Sequence, residues 1–195
     1  MTVGVTGGIG AGKSSVCRVF EAGGALVVEA DAVGHETAAH PAVLPELMAA
    51  FGADITDGEG RLVRRELGQR AFVSEASRQK LNTIVWPALN RRLQALVRKA
   101  LEERPDRAVV IDAALLVEWG GLTCDALVVV TAPPEARVAR TVSRLGISRA
   151  QAQARMASQL PDEEKVRVAD YVIVNDGSLK ELEAKARAVW TQIVK

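Results

Sequence analysis

Residues 7–14 read Gly7-Gly8-Ile9-Gly10-Ala11-Gly12-Lys13-Ser14, the complete G-x-x-x-x-G-K-[ST] pattern, directly after an apolar run that opens at Thr2. Small residues let successive backbone N–H groups curl around an anionic phosphate, Lys13 reaches the β and γ oxygens, and the Ser14 hydroxyl is placed to ligate Mg²⁺. A helix opening at Lys13 points its positive end at the same phosphates. The chemistry that fits is binding of a nucleoside triphosphate. A dinucleotide-binding fold is the rival, because Asp31 follows the glycines at ribose-binding distance. The run lacks the G-x-G-x-x-G register, however, and a Lys-Ser pair has no task in that motif.

A phosphate cradle alone serves transferases, switches and motors, so other residues must choose among them. Asp31 ends the run Val27-Val28-Glu29-Ala30-Asp31, and in a doubly wound sheet that strand end faces the ligand crevice. A carboxylate there accepts the proton of an attacking alcohol; it also suits the N-cap of a following helix. Asp112, after Val109-Val110-Ile111, occupies the position of an acid that holds Mg²⁺ directly or through water, or that caps the strand end. Arg137, Arg140, Arg144 and Arg155 fall in one arginine-rich stretch, where Arg140 and Arg144 share a helix face. As a group they read as a lid that neutralises phosphate charge; singly, each equally suits a solvated surface. Arg64 and Arg65 are candidates for an anionic acceptor, and His35 and His40 receive no chemistry.

The elements that must position these groups are legible from periodicity. Short β-branched runs at Thr2–Thr6, Ala25–Val28, Ala108–Ile111, Ala126–Thr131 and Tyr171–Val174 alternate with helical patterns. This predicts an α/β fold: a P-loop-type parallel sheet of five strands with helices on both faces. Ser148 with Gln151 and Ser178 with Glu181 have capping-box spacing, and Pro134 suits a first helical turn. Leu182, Ala186, Val189, Trp190 and Ile193 form the buried stripe of a final helix. One domain is expected over 1–195, with a core at 1–39 and 105–195, a helical insertion at about 40–104 and a lid at about 135–165. In the insertion, Leu81, Ile84, Val85, Leu89, Leu93, Leu96 and Leu101 line one side of a long helix that Pro87 should kink or break. Arg91, Arg92, Arg98 and Lys99 read as its solvated face. The lid is expected to form two short helices joined near Gly146.

Bulk properties exclude several classes. With 25 basic and 24 acidic residues the net charge is +1, so no global field favours nucleic acid or a membrane surface. Cys17 and Cys124 have neither metal-site spacing nor a disulfide framework, which fits a reducing compartment, and no stretch has signal-peptide or membrane-span form. A cytoplasmic monomer is expected.

Taken together, Val5-Thr6-Gly7-Gly8-Ile9-Gly10-Ala11-Gly12-Lys13-Ser14, Glu29-Ala30-Asp31, Phe51-Gly52, Leu62-Val63-Arg64, Ile111-Asp112-Ala113-Ala114-Leu115-Leu116-Val117-Glu118, Gln159 and Ala169-Asp170-Tyr171-Val172-Ile173-Val174-Asn175 resemble the dephospho-coenzyme A kinase family over nearly the whole chain. The resemblance implies transfer of the ATP γ-phosphoryl to the ribose 3′-hydroxyl of dephospho-coenzyme A with Mg²⁺. It implies that Gly8, Gly10, Ala11, Gly12, Lys13, Ser14 and Ser15 bind ATP, that Asp31 is the base, and that Lys13 and Arg140 assist catalysis. Arg144 and Asn175 would complete the ATP site, with Asn175 near the adenine end. Arg64, Leu115, Leu116 and Glu118 would line the acceptor site beside Asp31, and the helical insertion would bind the acceptor. The chain departs from the family pattern at Trp86, usually His, at Ala114, usually Pro, at Val117, usually Phe, and at Ser15, usually Thr. A kinase for nucleoside monophosphates or another small alcohol is the neighbouring reading. A GTP-driven switch is the remote one: Asp57-Gly58-Glu59-Gly60 matches its D-x-x-G element, but no strand leads into it and no guanine-reading Asn-Lys-x-Asp occurs.

Overall fold

The first strand, β1 (Thr2–Thr6), is buried at every residue, because it lies in the middle of the sheet and is covered on both faces. In this computed structural model, which describes residues 1–120 and 122–195, five parallel strands run in the order β2 (Leu26–Glu29), β3 (Val109–Asp112), β1, β4 (Ala126–Thr131), β5 (Tyr171–Val174). Thr2 stands opposite Val109, Val3 opposite Ala126, Leu26 opposite Val109, and Val128 opposite Tyr171. The expected five-stranded α/β sheet is the one found, with each strand within one residue of its sequence reading.

Alternation along β1 sorts its side chains between the faces. Val3 and Val5 join Val16, Phe20, Val110, Val128, Ile173, Leu182 and Trp190 in the main core, which α1 (Lys13–Ala22) and α10 (Leu179–Ile193) close from one side. Trp190 stacks on Phe20 with centroids 4.8 Å apart and donates its indole N–H to Gly23 O at 3.1 Å. On the other face Gly4 lies against Leu116, near enough that a Cβ would come within 2.6 Å of it. Both capping boxes form, Ser148 with Gln151 at the start of α8 (Arg149–Ala157) and Ser178 with Glu181 at the start of α10.

The chain resolves into two compact units, one of residues 1–29 and 97–195 and one of residues 30–96. The second holds α2 (Ala30–Ala38), α3 (Leu44–Phe51), a 3₁₀ turn at Ala53–Ile55, α4 (Arg64–Ala71) and most of α5 (Glu75–Glu103). Its own core gathers Val43, Leu47, Ile55 and Leu67, against which Leu81, Ile84 and Val85 pack. α5 runs on through Pro87, so of the expected kink or break the break does not occur: proline forfeits one hydrogen bond, and the 29-residue helix keeps the rest. Leu96, expected in the stripe, is exposed. The Asp57–Gly60 segment is a turn in which the Asp57 carboxylate accepts the N–H groups of Glu59 and Arg61, closed by a bridge between Thr56 and Leu62.

The lid stretch contains three helices rather than two: α7 (Pro134–Leu145), ended by Gly146 in the left-handed conformation, then α8, then α9 (Asp162–Arg167). The third is signed by Pro161 followed by three acids in its first turn, a pattern that favours a helix N-terminus.

Candidate active site

β1 delivers the chain into the phosphate-binding loop, and Gly12, at φ 106°, turns it into α1. No side chain caps this helix and no acid lies in its first turn, so its positive end is left to whatever binds in the loop. The Lys13 ammonium stands 4.0 Å from the Asp112 carboxylate, each side chain 16% exposed. Asp112 ends β3, beside Glu29 on β2 in register. One turn into α1, Cys17 also meets Asp112; burial first, then the Asp112 charge, holds its thiol well above the ordinary value. Ser14 is exposed at the helix start, and Ser15 is half-buried.

The loop is bound from several distant segments. Asn175, buried just after β5, donates its amide to Ala11 O at 2.8 Å. Arg140 on α7 reaches Gly10 O at 3.4 Å and the Asn175 backbone and side-chain oxygens at 3.5 and 3.4 Å. Thus Gly8, Gly10, Ala11, Gly12, Lys13, Arg140 and Asn175 do converge. Arg144, in the last turn of α7, is exposed. Leu115 is half-buried and Leu116 is buried in α6 (Leu116–Trp119). Glu118 is committed: its carboxylate ion-pairs with Lys165 at 2.8 Å and accepts the Leu160 N–H at 3.1 Å. Asp31 and Arg64 belong to the other unit; Asp31 is exposed in the first turn of α2, two residues past the end of β2, and Arg64 is exposed at the start of α4.

This arrangement of loop, lysine, strand-end acid and arginine-bearing helix is one that comparison with other proteins can assign. A sequence model of the dephospho-CoA kinase family matches residues 1–181. The chain belongs to that family. A dephospho-CoA kinase from Corynebacterium diphtheriae is 41% identical over 96% of this chain and 94% of its own length, and one from Thermobifida fusca is 40% identical over 99% and 96%. Among solved structures, a Thermus thermophilus protein superposes with a TM-score of 0.78 at 32% identity, covering 99% of this chain and 97% of its own. A dephospho-CoA kinase from Campylobacter jejuni shares the fold at a TM-score of 0.63 and 23% identity, over 100% and 97%.

Within this dephospho-CoA kinase frame, one residue was missed by the sequence reading, Lys165, and two that it named, Arg137 and Gln159, hold the loop itself rather than reaching out from a lid. Lys165 is fully buried and donates to Ala114 O at 3.0 Å besides pairing with Glu118. Arg137, grouped with the lid arginines, is 7% exposed; its Nε donates to Ile9 O at 3.0 Å and its Nη1 meets Asp162 at 2.8 Å. Gln159 accepts the Ile9 N–H at 2.8 Å. Nothing in their local spacing could have flagged these contacts, which join positions 25 to 150 residues apart.

Proposed function

We infer that this chain transfers the terminal phosphoryl group of ATP to the ribose 3′-hydroxyl of dephospho-coenzyme A. The observation that carries the reading is a complete phosphate loop, with Lys13 facing Asp112, in a chain that matches dephospho-CoA kinases along its length. The Asp57–Gly60 match to a switch element is accounted for as a local turn.

The loop N–H groups and the start of α1 hold the phosphates, and Lys13 neutralises charge as it shifts toward the leaving oxygen. The 3′-oxygen attacks the γ-phosphorus in line, its proton passes to the Asp31 carboxylate, and ADP departs. Arg140, which already reaches Gly10 O, supplies a guanidinium at the equatorial oxygens. Arg64, Leu115 and Leu116 line the acceptor in this reading, and Asn175 fixes the loop next to the nucleotide. Mg²⁺, when bound, would be held by Ser14 and Asp112 and would supply positive charge to the phosphates. The Ser14 hydroxyl and the Asp112 carboxylate are an all-oxygen pair that suits an ion keeping most of its shell as water and phosphate. Among the described residues no helix is long and apolar enough to cross a membrane, and the proposal places the enzyme in the cytoplasm as a monomer.

The test is Asp31→Asn in an ATP-consumption assay across dephospho-coenzyme A, nucleoside monophosphates and water. Transfer to dephospho-coenzyme A should fall by about two to four orders of magnitude while nucleotide affinity is kept. Near-parental turnover would remove Asp31 from the chemistry, and preference for another acceptor would replace the substrate.

A further inference from the structure

Gly10 and Gly12 both take positive φ, at 78° and 106°, and the turn itself contributes the backbone bond from Ala11 N–H to Gly8 O at 3.1 Å. Glycine loses more backbone freedom on ordering than any other residue, so a glycine-rich loop holds a single shape only under external constraint. The constraint is visible at Ile9. Its N–H is taken by Gln159 and its carbonyl by Arg137 Nε, so both polar groups of one residue are held by the segment that starts at α7 and ends at α9. Arg137 cannot drift from this post, since its guanidinium is paired with Asp162 and the two side chains are 9% and 19% exposed.

The fit is close on the glycine side as well. A Cβ on Gly8 would lie 1.9 Å from Arg137 Nη2, and one on Gly10 would lie 2.5 Å from Arg137 O. Two glycines of the loop are therefore demanded by α7, independently of any phosphate. Because Nε and Nη1 of Arg137 are both engaged by protein atoms and Nη2 lies against Gly8, this arginine acts on bound phosphate through the loop.

We propose that Arg137 is a positioning residue for phosphoryl transfer: with Gln159 it grips Ile9 and sets the phosphate loop in its ATP-binding shape, and Asp162 anchors the grip. The proposal rests on the kinase reading above. It is separable from it because ATP affinity can be measured without an acceptor.

The experiment compares Arg137→Met, Arg137→Gln and Gln159→Met by calorimetric titration with ATP, by steady-state kinetics with dephospho-coenzyme A and by thermal unfolding. Glutamine carries its amide nitrogen as many bonds from Cα as the arginine Nε, so Arg137→Gln keeps the donor to Ile9 O and loses only the Asp162 link. Both Arg137 variants should lose thermal stability alike. Arg137→Met should weaken ATP by about tenfold or more and lower kcat, with acceptor KM within about twofold, whereas Arg137→Gln should recover ATP affinity to within about threefold. Equal loss in the two variants would assign the effect to the ion pair and overturn the grip; no loss in either would overturn it outright. Gln159→Met alters a half-buried side chain and opens no buried charge. Should Arg137→Met fail to fold, Gln159→Met must raise ATP KM at near-parental stability, and unchanged ATP KM there sinks the proposal. A parent that binds ATP yet leaves dephospho-coenzyme A untouched would refute the substrate while leaving these affinity comparisons intact.

Discussion

Glu118→Gln should cost stability out of proportion to its one-atom change. Lys165 is fully buried, and its ammonium has two acceptors, the Glu118 carboxylate at 2.8 Å and Ala114 O at 3.0 Å. Removing one member of a buried pair leaves an uncompensated charge and costs about 3–5 kcal/mol. Glutamine still offers a carbonyl oxygen to Lys165 and to the Leu160 N–H, so Glu118→Gln belongs at the low end, about 3 kcal/mol, and Glu118→Ala at the high end. Lys165→Met should cost less than either. The Glu118 side chain is 20% exposed and keeps the Leu160 N–H, so water and that bond compensate the orphaned carboxylate. For a chain of 195 residues each kcal/mol corresponds to about 2–4 °C, so Glu118→Gln should lower Tm by about 6–12 °C. In the Glu118→Ala/Lys165→Met double variant much of that loss should return, because no buried charge remains without a partner. Far-UV circular dichroism melts of the four variants and the parent measure all of these terms. A Glu118→Gln midpoint within about 2 °C of the parent, or a double variant as unstable as the sum of the singles, would refute the reasoning and return Glu118 to the acceptor alone.

Gly8→Ala should drive the Arg137 guanidinium off Ile9, reducing kcat/KM for ATP by about tenfold, in keeping with the usual cost of overpacking. In an Arg137→Gln background, which lacks the obstructing Nη2, the same substitution should cost less; strict additivity in steady-state kinetics would show that the clash is not what matters. Stability should also fall in mild alkali. Burial raises the Cys17 thiol well above 9.0 and the Cys124 thiol to about 11, so above pH 9 the unfolded chain gives up protons that the folded one keeps. The Cys17 contribution reaches about 1.4 kcal/mol per pH unit, and urea midpoints at pH 8 and 10 should converge in Cys17→Ala relative to the parent. An unchanged difference between the two pH values in that variant would assign the alkaline loss to other groups.

The parts of the site legible in the sequence are those whose causes are local. Lys13, Ser14 and the glycines declare themselves within eight residues, and the five strands show because buried parallel strands read as β-branched runs. The capping boxes were legible for the same reason, since Ser148 and Ser178 each bond a partner three residues on. What escaped depends on long-range pairing. Arg137 has the composition of a surface arginine and is buried only because Asp162 and Ile9 O meet it. Lys165 sits among charged neighbours in α9 and is drawn inward by Glu118, 47 positions earlier, so no window around it carries the signal. Pro87 signalled a kink or a break, and the helix does not end there: the local penalty is real, but the flanking turns of α5 are secured by packing of Ile84, Val85 and Leu89.

The strand that feeds the phosphate loop is synthesised long before either of its neighbours in the sheet. β1 ends at Thr6, but its neighbours in the sheet begin at Val109 and Ala126, so during translation Val3-Gly4-Val5 waits with both edges bare until more than a hundred further residues have emerged. Residues 30–96 form a compact unit with a core of its own, whose parts have all emerged in that interval. Closing the long gap to β3 and β4 is the slow entropic step. Because Arg137, Gln159 and Asp162, which grip Ile9, come later still, a nucleotide can stabilise the newly made protein only once the chain has run well past the fourth strand.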